Sequence, residues 1–149
     1  MEVVRRNRIE LTLEGAKAAL AAAVACAETM GIRLVIAVAD SGGWPMALYR
    51  MDGAKLTSVD IAMNKAFTAA GTRKPTHEYS EIGGAGGSAF GIHASNGGRF
   101  TIFGGGVPIV VDGQCVGAVG CSGGSAEEDR IAAEAGAEAV RRLSEQSEG

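Results

Sequence analysis

The stretch Pro108-Ile109-Val110-Val111-Asp112-Gly113-Gln114-Cys115-Val116-Gly117-Ala118-Val119 decides the fold. Two apolar runs of strand length flank Asp112-Gly113, a dipeptide that favours a type I′ turn because both central residues must take positive φ. The segment therefore reads as a hairpin, and hairpin strands are antiparallel neighbours. A second hairpin stands upstream. Leu34 to Ala39 is an apolar strand closed by Asp40-Ser41-Gly42-Gly43, and Trp44 to Arg50 returns beside it.

Helical patterns surround the two hairpins. Thr12 is placed to cap a first helix, with Glu14 in its first turn and Leu13, Ala16, Leu20, Val24, Ala27 and Met30 at helical spacing until Gly31. Thr57 or Ser58 caps a second helix carrying Val59, Ala62, Met63, Ala66 and Ala69, which Gly71 is expected to end. After Pro75, His77–Ile82 has room for one more helical turn. Residues 83–106 read as loop, with ten glycines in 24 positions. Ser125 and Glu128 form a capping box for a last helix on Ile131, Ala135, Ala139 and Leu143, and the polar tail from Ser144 is expected to fray. Hairpins interleaved with helices predict an α+β fold with helices packed on an antiparallel sheet. No repeat or linker divides residues 1–149, so one domain is expected.

The 149 residues are 46% hydrophobic and 21% charged, with a net charge of −3. That balance argues against a nucleic-acid partner, which calls for a basic face. No run approaches the roughly 20 apolar residues of a membrane span, and none follows Arg5, Arg6 and Arg8 in the manner of a signal peptide. Cys26, Cys115 and Cys121 are odd in number and lack CxxC spacing, which reads as reduced thiols in a cytoplasmic protein.

Several residues could carry chemistry. Gly120-Cys121-Ser122-Gly123-Gly124 matches G-x-S-x-G between a strand and a helix. In a hydrolase of that type the histidine follows the serine, whereas His77 and His93 both precede Ser122. Ser122 to Ser125 instead present amides at a helix N-terminus, suited to an anion, or simply cap the helix. The segment Gly83-Gly84-Ala85-Gly86-Gly87 lacks the Lys and Ser/Thr of a P-loop, and Ala89 breaks G-x-G-x-x-G.

His77 and Glu81 would share a helix face, and with His93 could serve a metal or acid/base chemistry, or stand as unrelated surface groups. Lys65 either snorkels at the core edge or faces an anionic ligand. Arg99 is either a carboxylate clamp or a solvated charge. Phe90, Phe100 and Phe103 line an apolar pocket or pack in the core. Cys121 is either a reactive thiolate at a helix N-terminus or an inert small residue.

A set of motifs in fixed order resembles the GlcG/HbpS family, which includes the C-terminal domain of PduO-type proteins. It runs from about Leu11 to Ala139 through Val38-Ala39-Asp40-Ser41-Gly42-Gly43, Arg50-Met51-Asp52-Gly53-Ala54 and Asn64-Lys65-Ala66-Phe67-Thr68-Ala69. It continues through Phe103-Gly104-Gly105-Gly106-Val107-Pro108, Asp112-Gly113, Gly117 to Gly124, and Glu128-Asp129. The resemblance implies a profilin-like antiparallel sheet of about five strands, a homo-oligomer, and in some members binding of haem or a related tetrapyrrole. In a PduO-type domain the haem ligand is a histidine of the first helix, and residues 12–30 here contain none. An axial ligand would then be His77, His93, Met63 or Thr68.

Three functions are expected to compete. The first is a binding protein of the haem type, with a pocket between the second helix and the glycine-rich loop. Its candidate ligand contacts are Lys65, Arg99, Phe103, Gly105, Ser122 and Gly123, with His77 or His93 near the iron. The second is a lyase or isomerase acting on a small carboxylated or aromatic metabolite, with Lys65, His77 or His93 as acid or base. The third is an accessory oligomer without a ligand. A histidine beside an apolar slot favours the first, convergent charges in a smaller pocket favour the second, and a filled interior favours the third.

Overall fold

The architecture was obtained as a computed structural model that describes residues 1–147. Helix α1 (Leu13–Met30) leads into strands β1 (Val35–Asp40) and β2 (Pro45–Arg50), then helix α2 (Ser58–Thr72). A run of turns, including the short α3 (Tyr79–Ile82), reaches β3 (Gly106–Val111), β4 (Gln114–Ser122) and α4 (Ala126–Ser147). The strands form an antiparallel sheet in the order β2-β1-β4-β3. The family resemblance implied about five strands; four are present among the described residues. The glycine-rich stretch supplies none, because Gly86, Gly91, Gly97, Gly98 and Gly105 turn it at positive φ.

Both sheet faces are covered, which explains why β1 is apolar without alternation. Ile36, Val38, Val107, Ile109, Val119 and Cys121 pack beneath α1 and α4. Val35, Ala37 and Ala39 meet Ala62 and Ala66 of α2 on the opposite face. Small side chains let these layers approach closely. A Cβ placed on Gly136 of α4 would stand 2.9 Å from the Ala19 carbonyl oxygen of α1.

The local signals hold at most boundaries. The Gly15 amide donates to Thr12 Oγ1 at 3.1 Å, and Gly31 closes α1 in the left-handed region. Asp112 and Gly113 take φ of 49° and 73°, as the hairpin requires. Ser125 and Glu128 exchange side-chain-to-amide bonds of 2.9 and 3.1 Å. Three ends differ from expectation. Helix α2 passes through Gly71 and stops at Thr72, where Arg73 turns left-handed and the Thr72 hydroxyl donates to the Thr68 carbonyl. Thr57 stands at the start of α2 without a capping bond from its side chain. Helix α4 continues past Ser144 to Ser147, held by Arg141 to Glu138 and Glu145 contacts along its exposed face. No helix among the described residues is long and apolar enough to cross a membrane.

Candidate functional site

The sheet-facing side of α2 carries Lys65, which is 1% exposed. Its ammonium donates to Asp129 Oδ2 at 2.9 Å and to the Cys121 carbonyl at 2.8 Å. Asp129 Oδ1 in turn accepts from the Gly124 amide at 2.8 Å. Burial pulls the Lys65 ammonium below its ordinary pKa, and the Asp129 carboxylate opposes that shift. Gly105 has to be glycine here, since its φ is +129° and a Cβ would stand 2.5 Å from Lys65 Nζ. Lys65 is thus neither a snorkelling edge residue nor a cation turned to an open pocket. It ties α2 to the end of β4 and the start of α4.

The G-x-S-x-G motif also turns inward. Ser122 is buried at the end of β4, with its hydroxyl 3.2 Å from that of Ser58. The amides of Gly124 and Ser125 bond the chain's own Asp129 and Glu128 carboxylates, so they serve as caps for α4. Gly123 takes φ +141° against Leu34. Cys121 is fully buried, and loss of hydration pushes its thiol well above the usual range. That is the environment of an inert thiol.

An open site lies on the outer side of α2. Ile61 and Asn64 of that helix face Phe100, Ile102 and Phe103 across a groove of about 440 Å³, with His93 on its border. Three polar tethers, anchored at Thr68, Ser80 and Thr76, shape its far wall. The Thr68 hydroxyl receives the Thr101 amide at 2.9 Å and donates to the Asn64 carbonyl at 2.8 Å. Ser80 donates to the Ile102 carbonyl at 2.9 Å, and the Gly106 amide donates to Thr76 Oγ1 at 2.9 Å. The Phe100 ring meets Tyr79 edge-to-face at 4.9 Å. Phe103, 46% exposed, separates the groove from the interior charge pair, with Lys65 Nζ 5.1 Å from its ring centre.

His93 sits on the turn Ile92–Ala94, its ring 6.1 Å from that of Phe90. The Arg99 guanidinium sits over the Phe67 ring, its Cζ 3.8 Å from the ring centre, and Nε donates to the Asn96 carbonyl. This stacking leaves the guanidinium exposed beside the groove residues Gly98 and Phe100. His77 is placed elsewhere. Its Nδ1 is buried without a partner, and its Cβ packs against Gly104 near the start of α4. No group of three or more metal-ligating side chains forms among the described residues, so His77, Glu81 and His93 do not converge as one cluster.

Of the residues singled out in the sequence, His93, Phe100 and Phe103 border the groove and Arg99 adjoins it. Lys65, Gly105, Ser122 and Gly123 lie behind its wall. Asp129 was missed as the partner of Lys65; its position in the first turn of α4 signals a cap, not an ion pair. Also missed was a larger apolar groove between α1 and α4, assembled from residues far apart in the chain.

A protein-family model described as haem degrading protein HbpS-like matches residues 11–138. The chain belongs to the HbpS-like family. This HbpS-like chain is 43% identical over 124 residues to an uncharacterized 15.0 kDa protein of Citrobacter freundii encoded between dhaT and dhaS. The match covers 83% of this chain and 87% of that one. Protein ORFY of Klebsiella pneumoniae superposes with a TM-score of 0.89 at 33% identity, covering 94% of this chain and 97% of that one. The structure of a PduOC–haem complex superposes with a TM-score of 0.83 at 31% identity, covering 88% and 95%. The α+β class and the family read from the sequence are those of these HbpS-like relatives.

Proposed function

We propose that the protein binds haem or a related tetrapyrrole in the groove between α2 and the glycine-rich segment. The observation that carries this reading is a histidine, His93, bordering an apolar slot walled by Ile61, Phe100, Ile102 and Phe103. Flat macrocycles are held by such walls with a few placed polar groups. The donor set suits the ligand: an imidazole for iron, aromatic and aliphatic walls for the ring, and the Arg99 guanidinium for a peripheral carboxylate. Bound there, the iron would supply its redox and ligand-binding chemistry. The chain's part is to hold the ring, to present His93, and to keep Arg99 in place by stacking on Phe67. The family match and the haem complex of the PduOC relative support the same reading.

The acid/base alternative is less favoured, because its best cation is committed. Lys65 and Asp129 are bonded to each other in the interior, with side chains 1% and 4% exposed. Assembly as a homo-oligomer accords with large apolar side chains left in water, Trp44, Leu56 and Phe90 among them. Three free cysteines accord with a cytoplasmic setting.

Titrating the purified protein with haemin and following its absorption tests the assignment. A saturable, shifted Soret band is expected, abolished or shifted in His93→Ala and preserved in His77→Ala. Arg99→Ala is expected to weaken binding by roughly 10- to 100-fold, the worth of one charge-assisted hydrogen bond. A band unaffected by His93→Ala would remove the assigned ligand.

A further inference from the structure

The groove on the other side of the molecule carries a separate inference. About 640 Å³ of open space lies between the first turns of α1, the end of α4 and the β3–β4 turn. Its walls include Leu11, Ala18, Val116 and Leu143, and its border carries the acidic side chains Glu10, Glu14 and Asp112. Lys17, 3.3 Å from Glu14, offsets part of that charge.

Beside this groove runs a segment of the opposite character. Residues 1–8 form neither helix nor strand, and all of them are exposed. Val3 and Val4 are 78% and 56% exposed, while Arg5, Arg6 and Arg8 outnumber the single acid Glu2. The segment is clamped at its root. Gln114 accepts the Ile9 amide through Oε1 and donates to the Asn7 carbonyl through Nε2, both at 3.3 Å. Asn7 itself takes a φ of 61°, which bends the chain at the clamp.

Apolar side chains left in water beside a run of cations complement an apolar groove with an acidic border, in both burial and charge. We infer that residues 1–8 are an exchange arm, laid in the α1/α4 groove of a second copy of this chain. Val3 and Val4 lie against Leu11, Val116 and Leu143 of that copy, and the arginines face its Glu10, Glu14 and Asp112. Because arm and groove adjoin on one face, two copies can exchange arms reciprocally about a twofold axis. The inference is independent of the haem assignment, which concerns the opposite side of the sheet.

Sedimentation equilibrium of the full chain over a range of concentration and salt tests it. The parent protein is expected to self-associate, more weakly as salt rises. An arm variant, Arg5→Glu with Arg6→Glu and Arg8→Glu, and a groove variant, Glu10→Arg with Glu14→Arg and Asp112→Arg, are each expected to raise the dissociation constant at least tenfold. Mixed one to one, they should regain the parental assembly, since the reversed charges then meet. A parent that stays monomeric overturns the inference, as does an arm variant of parental mass. Failure of the folded variants to recover on mixing also overturns it, since the arm would then lie in its own groove. Should the groove variant unfold, the arm variant decides alone, because its side chains are already in water.

Discussion

Lys65→Met is expected to cost about 3–5 kcal/mol of folding stability, because it strands the Asp129 carboxylate in the interior. Asp129 reaches one oxygen to Lys65 and the other to the Gly124 amide, and its side chain is 4% exposed. Removing the ammonium leaves half of that carboxylate without a counter-charge, where rehydration is blocked by Phe103 and the Gly104–Gly106 segment. For a chain of this length the loss corresponds to a fall in melting temperature of roughly 6–20 °C. Adding Asp129→Asn is expected to restore most of it. Asparagine still accepts from the Gly124 amide and leaves no buried charge without a partner. Urea denaturation of the parent and both variants reads the effect. A single variant within about 1 kcal/mol of the parent would mean that the pair is well hydrated, contrary to the geometry described.

A comparable effect is expected from Gly120→Ala. Gly120 lies in β4 directly under α2, and a Cβ there would overlap the Ala62 carbonyl oxygen and stand 2.6 Å from the Ala66 amide nitrogen. Both are backbone atoms of a regular helix, so no side chain can swing aside. The helix must lift, carrying Ile61 and Asn64 of the groove with it. Overpacking commonly costs 1–3 kcal/mol, and this position is expected at or above the top of that range, with tetrapyrrole binding lost as well. Gly71→Ala supplies the contrast. It lies within the same helix with nothing within 4 Å of its added methyl, and should stabilise by about 0.5–1 kcal/mol. Thermal unfolding of the two variants should therefore move in opposite directions from the parent, while haemin binding is lost in Gly120→Ala and kept in Gly71→Ala.

The contrast also marks what could be read in the sequence. Turn and cap chemistry is local, so Asp112-Gly113 and the Ser125–Glu128 box announce a hairpin and a helix start within four residues. Strand and helix ends set by distant partners are less legible. Strand β4 runs on through Gly120-Cys121-Ser122 because these residues pair with Val35 to Ala37 of β1. Gly71 reads as a helix stop but sits inside α2, which runs one residue further to Thr72, whose hydroxyl bonds the Thr68 carbonyl. Lys65 shows the limit most clearly. Helical spacing places it beside the apolar stripe of α2, yet its partner lies 64 residues away on another helix. Once Asp129 is seen opposite it, the same residue changes from a candidate ligand contact into an internal tie. His93 and Arg99 were legible as chemistry but not as neighbours, because tethers from Thr68, Ser80 and Thr76 assemble that wall.

The most direct test of the groove assignment is the map of backbone amide shifts when ¹⁵N-labelled protein is titrated with zinc protoporphyrin, whose closed-shell metal leaves the signals sharp. Perturbation is expected to centre on Ile61, Asn64, His93 and residues 98–103. Perturbation centred instead on Glu14, Ala18, Val116 and Leu143 would place the ligand in the α1/α4 groove and contradict the assignment.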